Sequence, residues 1–498
     1  MDTTKWSVYS NYISYIILAV GIALSAFNVY DLTGVVNGTE KVESCQGKNH
    51  ALSIHKPTVW IRSRSMETGY LKHVKAAFER IGYEIGDNSS DWDVLWSHEY
   101  PFKDLKSSLV NMMPHQKVNH FPGCGYITNK VSLSTSGASH IPSAFKLPED
   151  KDKLLEYASI NKEMLFVQKS NSHRGIKIEP LSEMNLESSD NFVQQYISNP
   201  LLIDGYKFDI GVYTILTSID PLRVYAYDGD VLFRFCPEKY HPFDPKVVNK
   251  YVVGDDYLPI WNVPSLKNYY NELGFSMKDS FNAYLHSIGK DSNKVWSQVY
   301  EAIADIYLLK EPSLIESSSR YKRTANFFEM VRIDFIIDED LNVFIMEANM
   351  SPNLSSAHFP PNQLLYEQVM YNLLSLVGIG TRIQKDGLQH SVDDVEEMQV
   401  SFKNLAVEAN SCSKKICSNC IAPQCLLCKP CLTTSTVEIL KSAYLEHENR
   451  LSTRRIFPPP LNAKDRKARV DLEHLSPENQ LMYYWFEGMC RKDVTWCT

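Results

Sequence analysis

Glycine is sparse in this chain, 21 of 498 residues against 28 tyrosines. That balance predicts a chain folded over most of its length rather than a flexible one. Repeats of solenoid length are absent, which excludes a stacked-repeat architecture. A surplus of positive charge is absent too: 51 Lys and Arg face 59 Asp and Glu, for a net charge of −8. Wholesale nucleic-acid binding is thereby argued against, and only local basic patches remain for acidic partners. The length allows about two to four domains, and the ordinary share of hydrophobic residues fits a globular protein.

Charge of either sign is missing from Trp6 to Tyr30, a stretch centred on IILAVGIAL (16–24). About 20 such residues cross a bilayer, and Tyr9, Tyr12, Tyr15 and Tyr30 have the character of interfacial anchors. The expectation is a single-pass membrane protein held through residues 6–30. A signal peptide with a small-x-small site at Ala23-Leu24-Ser25 ranks second, because only Lys5, offset by Asp2, precedes the apolar stretch. The flanking charges weakly favour a cytosolic N-terminus and leave the side of the main domain open.

Six of the eleven cysteines cluster at Cys412, Cys417, Cys420, Cys425, Cys428 and Cys431. Only four residues separate the two C-x-x-C pairs, less than zinc modules ordinarily leave. A compact disulfide knot and a Zn²⁺ site stand as equal readings of the Cys412–Cys431 cluster.

The pattern divides the chain into an anchor and stem (1–50), a small α/β part (51–160), a strand-rich core (161–383) and an extension (384–498). The extension holds an acidic linker, the cysteines, the basic run RRIFPPPLNAKDRKAR (454–469) and a helix starting at Ser476-Pro477-Glu478. Leu364, Leu365, Val369, Leu373 and Leu374 recur at helical spacing and close the core.

Chemistry concentrates in NFFEMVRIDFIIDEDLNVFIMEANMSPNL (326–354). It predicts two strands and a tight turn, with Arg332, Asp334 and Asp338 on one face of the first strand and Glu347 and Asn349 on one face of the second. Folding the hairpin brings Asp334, Glu347 and Asn349 together as hard oxygen donors for Mg²⁺. The competing reading, a half-buried hairpin whose charges face water, is about as well supported. LFVQKSNSHRGIKI (165–178) predicts a strand ending at Lys169, a polar loop and a second strand. Further on, Gln195, Tyr196 and Ile197 offer backbone groups to an adenine, and Lys207 and Asp209 share a strand face.

Taken in order, WDVLW (92–96), VNHFPG (118–123), AFKLP (144–148), QQYISNPLLIDGYKFD (194–209), TSIDPLRVY (217–225) and MEANMSPNL (346–354) resemble the tubulin–tyrosine ligase-like family of ATP-grasp ligases. The resemblance covers roughly residues 56 to 380 and is nearest the glutamylating branch. It implies an α/β ATP-grasp-type ligase domain, here preceded by a transmembrane helix and followed by a Cys-rich extension. Lys169 then matches the first phosphate lysine, and Arg174 and Gly175 the flexible phosphate loop. Gln194, Gln195, Tyr196 and Ile197 match the adenine-binding linker. Lys207 and Asp209 match the second nucleotide lysine and its acidic neighbour, Arg234 an arginine near the transferred phosphate, and Asp334, Glu347 and Asn349 the magnesium ligands. The implied reaction consumes ATP and free glutamate and adds glutamate through isopeptide bonds to the acidic tails of tubulin in microtubules. Arg320, Lys322, Arg323 and the 454–469 run are candidates for docking those tails; a solvated surface is the simpler reading of any one of them.

Three departures bear on activity. Ser170 replaces the family's proline. Gly211 stands where the family has an arginine aimed into the site, and the stretch 240–265 contains no Thr-Asn pair. Losing that arginine removes a cationic fork, so Gly211→Arg is expected to raise activity if the pocket has room, with Lys177 or Arg332 as substitute cations meanwhile. The competing functions are a tubulin-binding pseudoenzyme, favoured by Gly211, and a lumenal ligase for another acidic protein, favoured by the cysteines and the sequons at Asn37 and Asn88.

Overall fold

The structure, a computed structural model, describes residues 56–65, 69–170, 176–187, 189, 191–380, 398–407, 412–413, 415–461 and 472–498. The anchor expected over residues 6–30 lies outside these. No helix among the described residues is long and apolar enough to cross a membrane, so the expected single-pass membrane localisation is withdrawn.

Alternating apolar residues in TVWIR form β1 (Thr58–Arg62), with Val59 and Ile61 turned inward. It lies between β2 (Glu84–Gly86) and β3 (Val94–Ser97), and β4 (Lys117–Val118) adds to β3, all parallel. Helix α1 (Lys72–Arg80) makes the crossover and buries Val74, Ala77 and Phe78, the i, i+3, i+4 stripe that a crossover helix needs.

A second, antiparallel sheet runs β5 (Ala144–Lys146), β8 (Asn191–Gln195), β6 (Phe166–Ser170), β7 (Lys177–Ile178) in spatial order. Helix α2 (Lys151–Ile160) closes its own small core with Leu154 against Leu147, Phe166 and Val193.

The third sheet is built around β9 (Phe208–Ile219), whose twelve residues are almost all buried. Its first half pairs with β11 (Leu232–Phe235) and its second half with β10 (Leu222–Tyr227). β12 (Leu258–Pro259) extends β11. β13 (Glu329–Ile337) runs antiparallel along Ile210–Leu216 of β9 and folds back as β14 (Val343–Asn349). The last strand, β15 (Thr453–Phe457), joins the free edge of β10. Helix α3 (Ser292–Ser318) lays Val295, Val299, Ala302, Ile303 and Ile306 across β9, β10, β14 and β15. Helix α4 (Asn362–Leu376) buries Leu365, Val369, Leu373 and Leu374, while Leu364 of the expected stripe faces outward.

The extension packs on this frame through α5 (Thr434–Glu448) and α6 (Pro477–Lys492), the latter capped by the Ser476 side chain on the Asn479 N–H. Disulfides join Cys412–Cys428, Cys417–Cys425 and Cys420–Cys431, and a fourth links Cys490 to Cys497. Every sulfur of the Cys412–Cys431 cluster is thus engaged. The Zn²⁺ reading is corrected, since a disulfide sulfur has no thiolate to give a metal.

Candidate functional site

The register of the third sheet decides which side chains meet. Asp209 on β9 stands opposite Arg234 on β11, and Asp334 on β13 stands opposite Gly211 on β9 and Glu347 on β14. Arg332 is opposite Asn349. The Arg234 fork donates to both oxygens of Asp209, Nε at 2.9 Å and Nη2 at 2.8 Å, and its Nη2 also reaches Oδ2 of Asp334 at 2.8 Å. Arg332 donates to Asp334 through Nε at 2.7 Å and Nη2 at 2.9 Å, and Asn349 Nδ2 adds a bond at 3.1 Å.

This overturns the reading of a hairpin whose charges face water, for Arg332 and Asp334 are buried. Asp338 belongs elsewhere, bonding the turn amides of Asp340 and Asn342. Burial pushes the Asp334 carboxyl up, but the Arg332 and Arg234 guanidiniums outweigh it and hold the group below the usual range. Burial dominates at Asp209, which rises to about 6 despite Arg234.

The lysines approach from two directions. Lys169, at the end of β6, donates to Oε1 of Gln194 at 2.8 Å. Gln194 is fully buried and ties that oxygen in place by donating to the Pro142 carbonyl, so it holds the lysine and does not itself line the cleft. Lys207 donates to the Tyr251 carbonyl at 2.9 Å and stands over the Tyr196 ring. Among the described residues neither lysine has a carboxylate in hydrogen-bond reach, so both charges stay available to an anion.

Burial and then repulsion from Lys207 lower the Lys169 ammonium to about 8. Phosphate binding favours the charged form, so nucleotide affinity should fall as pH rises through that value, by up to about tenfold per pH unit. Titrating a fluorescent ATP analogue from about pH 7 to 10 checks this, and Lys169→Met should flatten the profile.

These groups line one cleft of about 1050 Å³, between β6–β8 on one wall and β9, β11, β13 and β14 on the other. Lys169, Gln195, Tyr196, Ile197, Lys207, Asp209, Arg234, Asp334, Glu347 and Asn349 all reach it. The volume is at the upper end for small-molecule sites, enough for a nucleotide beside a second substrate. Asp334, Glu347 and Asn349 offer oxygen on the same wall, and Glu347 is partly open; this donor set fits Mg²⁺. Arg174 and Gly175 lie outside the described residues. The stretch without a Thr-Asn pair lends Tyr251, Val252, Gly254, Asp255 and Tyr257 to the lining.

Lys130 is a lining residue that the sequence reading missed. It begins a short helix (Lys130–Ser134) capped by Asn129, and its Nζ lies 3.2 Å from Glu347. A lone lysine after a cap carries no distinctive signal. His120, Cys124 and Glu329 also form a buried group with ligand atoms within 4.8 Å of one another. Both ring nitrogens of His120 are committed, Nδ1 to Glu329 at 2.8 Å and Nε2 to the Ser97 carbonyl at 2.7 Å. Two acceptors on one ring make this a buried imidazolium–carboxylate strut between β4 and β13, not an open metal centre.

Two lysines without a carboxylate partner among the described residues face Asp334, Glu347 and Asn349 across one cleft, an arrangement that fits a polyanion carried with a hard cation. The chain belongs to the tubulin-tyrosine ligase family: the model of that family matches residues 108–386. Over 447 residues it is 44% identical to the Caenorhabditis elegans protein named "Probable tubulin polyglutamylase ttll-15", covering 87% of this chain and 85% of that one. It is 30% identical to the human tubulin monoglutamylase TTLL4 over 61% of this chain, which spans only 26% of the human protein. The Danio rerio tubulin polyglutamylase ttll6 is 27% identical over 62% of this chain and 41% of its own length.

Proposed function

We propose that the chain is an ATP-dependent tubulin polyglutamylase of the ATP-grasp type. The observation that carries this reading is the meeting of Lys169 and Lys207 with Asp334, Glu347 and Asn349 in one cleft, in a chain closely similar to a protein named as a probable tubulin polyglutamylase. Gln195, Tyr196 and Ile197 line the part of the cleft assigned to the adenine, while Lys169 and Lys207 hold phosphate oxygens and offset the charge that develops on departing ADP. Asp334, Glu347 and Asn349 would hold Mg²⁺, which supplies charge neutralisation at the phosphates. A glutamate carboxylate on a tubulin tail takes the γ-phosphoryl group. The amine of free glutamate then attacks the acyl carbon, loses a proton and expels phosphate, leaving an isopeptide bond. No protein nucleophile is required, so positioning and charge carry the rate.

Docking of the acidic tail narrows to fewer residues than the sequence offered. Arg455 is fully buried under the Phe486 ring and Arg454 stacks on Tyr300, so neither is free for a partner. The rest of the basic run, from 462 to 469, lies outside the described residues.

The test is ATP-dependent incorporation of labelled glutamate, against glycine and tyrosine, into microtubules by the purified chain. Glutamate alone should be incorporated. ATP binding without transfer of any amino acid would replace the reading with a pseudoenzyme. The four disulfides favour one other reading, a chain that matures in an oxidising compartment and modifies an acidic protein there. Transfer to a non-tubulin acidic acceptor, with microtubules left unmodified, is the outcome that would select it.

A further inference from the structure

Gly211 is not a vacancy in the site. A Cβ at that position would stand 2.8 Å from Cδ of Arg332, 3.2 Å from its Nε and 3.2 Å from Oδ1 of Asp334. Contacts that close force a shift, and the neighbours here are a buried side chain and a carboxylate already held by four hydrogen bonds. The stem of Arg332 therefore runs through the space that any side chain at 211 would claim. Arg332 precedes Asp334 by two residues on β13, so the two side chains share a face. The guanidinium turns along that face onto Asp334 while Arg234 reaches the same carboxylate from β11. Both arginines line the cleft with Lys169 and Lys207. Of the substitute cations offered by the sequence, Lys177 is 65% exposed and paired with Glu179, away from this wall.

We propose that Arg332 is a positioning residue of the ligase reaction: laid across Gly211, it fixes the Asp334 carboxylate, together with Arg234, in the orientation that the metal-linked nucleotide requires. The inference rests on the ligase reading above. Its logic is that of an outer partner to a metal ligand. A carboxylate gripped by two planar forks cannot rotate; Oδ2 takes three of the four bonds, so Oδ1, which accepts from Arg332 Nε, is the oxygen held ready for an incoming cation. It also reverses the expectation drawn from the sequence. The charge that Gly211 lacks on β9 is supplied from β13, and Gly211→Arg alone would drive two arginine stems into one space and lower activity.

The experiment compares wild type with Arg332→Lys, Arg332→Met and the exchange Gly211→Arg with Arg332→Gly, all in the full chain, with thermal melts as the folding check. Two quantities are read: the Mg²⁺ concentration that half-saturates binding of a fluorescent ATP analogue, and kcat for glutamate transfer. Arg332→Met should raise the Mg²⁺ requirement and lower kcat by about 10–100-fold each. Arg332→Lys, a point charge without the fork, should fall between and keeps the charge if the Met variant does not fold. The exchange returns a guanidinium from β9 and should recover to within about tenfold of wild type. A folded Arg332→Lys or Arg332→Met variant with the wild-type Mg²⁺ requirement overturns the proposal. So does a folded exchange variant no better than Arg332→Met. Wild type that binds no nucleotide at any Mg²⁺ concentration instead overturns the ligase reading, and this inference with it.

Discussion

Glu347→Gln is expected to leave the fold intact while Mg²⁺-dependent nucleotide use collapses, whereas Asp334→Asn should damage both. The two carboxylates are cross-strand partners, yet they stand in different surroundings. Glu347 is 31% exposed and, among the described residues, pairs with Lys130, itself partly open to the cleft. Replacing it by an amide of the same shape leaves no buried charge unmatched, so the melting temperature should stay near wild type. What is lost is an anionic oxygen for the metal, and kcat/KM should fall on the order of 10²-fold, about 2.7 kcal/mol. Asp334 is instead the anion between two guanidiniums, Arg332 buried and Arg234 half-buried. An asparagine there presents an N–H₂ to groups that are donors only, and removing one partner of a buried charge set costs about 3–5 kcal/mol. Melting curves with binding of a fluorescent ATP analogue separate the cases. A folded Glu347→Gln variant with unchanged nucleotide affinity would remove Glu347 from the metal set.

Why the hairpin was legible in the sequence, and the arginine beside it was not, has a plain physical basis. Side chains alternate along a strand, and a short turn leaves one register in which the apolar residues of β13 and β14 both point inward. That register alone would set Asp334 opposite Met346; a one-residue irregularity in the pairing between Asp334 and Phe335 sets it opposite Glu347 instead. Gly211 and Arg332 are more than a hundred residues apart, and nothing in either local pattern says that β9 and β13 are neighbours. The sequence therefore showed a missing cation, whereas the sheet shows a filled space. Lys130 escaped for the same reason, reaching Glu347 from a short helix far upstream. Within a run of basic residues, sequence also cannot tell an arginine stacked on a buried aromatic ring from one in water, which is why Arg454 and Arg455 looked like docking residues. Nor does spacing alone give the pairing of six clustered cysteines, for which 15 connectivities exist.

Ending the chain at residue 383 is expected to yield protein that does not fold, even though every group assigned to the cleft precedes that point. The extension reads as an appendage in the sequence, but its strand β15 covers the edge of β10, with Val224, Tyr225, Ala226 and Tyr227 opposite Phe457, Arg455, Arg454 and Thr453. Removing it uncovers a row of unpaired amides and carbonyls on a central sheet. It also strands a buried arginine. Arg223 on β10 donates to Glu446 of α5 through Nε at 2.8 Å and Nη2 at 3.0 Å, and the Thr217 and Tyr225 hydroxyls complete that carboxylate. Asn479 of α6 accepts the Leu222 N–H at 2.7 Å and donates to both oxygens of Glu311 on α3. Deleting these partners breaks the Arg223–Glu446 pair and the Asn479–Glu311 bonds and uncovers both side chains. Ile456 and Phe457, which belong to the main apolar core, go with them. Domains of this kind keep only about 5–15 kcal/mol in total, so losing the paired strand edge, these polar contacts and part of the core together is expected to leave too little to fold. Glu446→Ala isolates one part of this: it should cost about 3–5 kcal/mol, lower the melting temperature, and leave turnover per folded molecule near wild type, because Glu446 touches nothing in the cleft. A soluble 1–383 fragment with a cooperative melt and wild-type nucleotide affinity would show that the extension is dispensable. In that case the strand pairing of β15 with β10 would be an attachment to the ligase core rather than a part of what holds β9, and with it Asp209 and Gly211, in place.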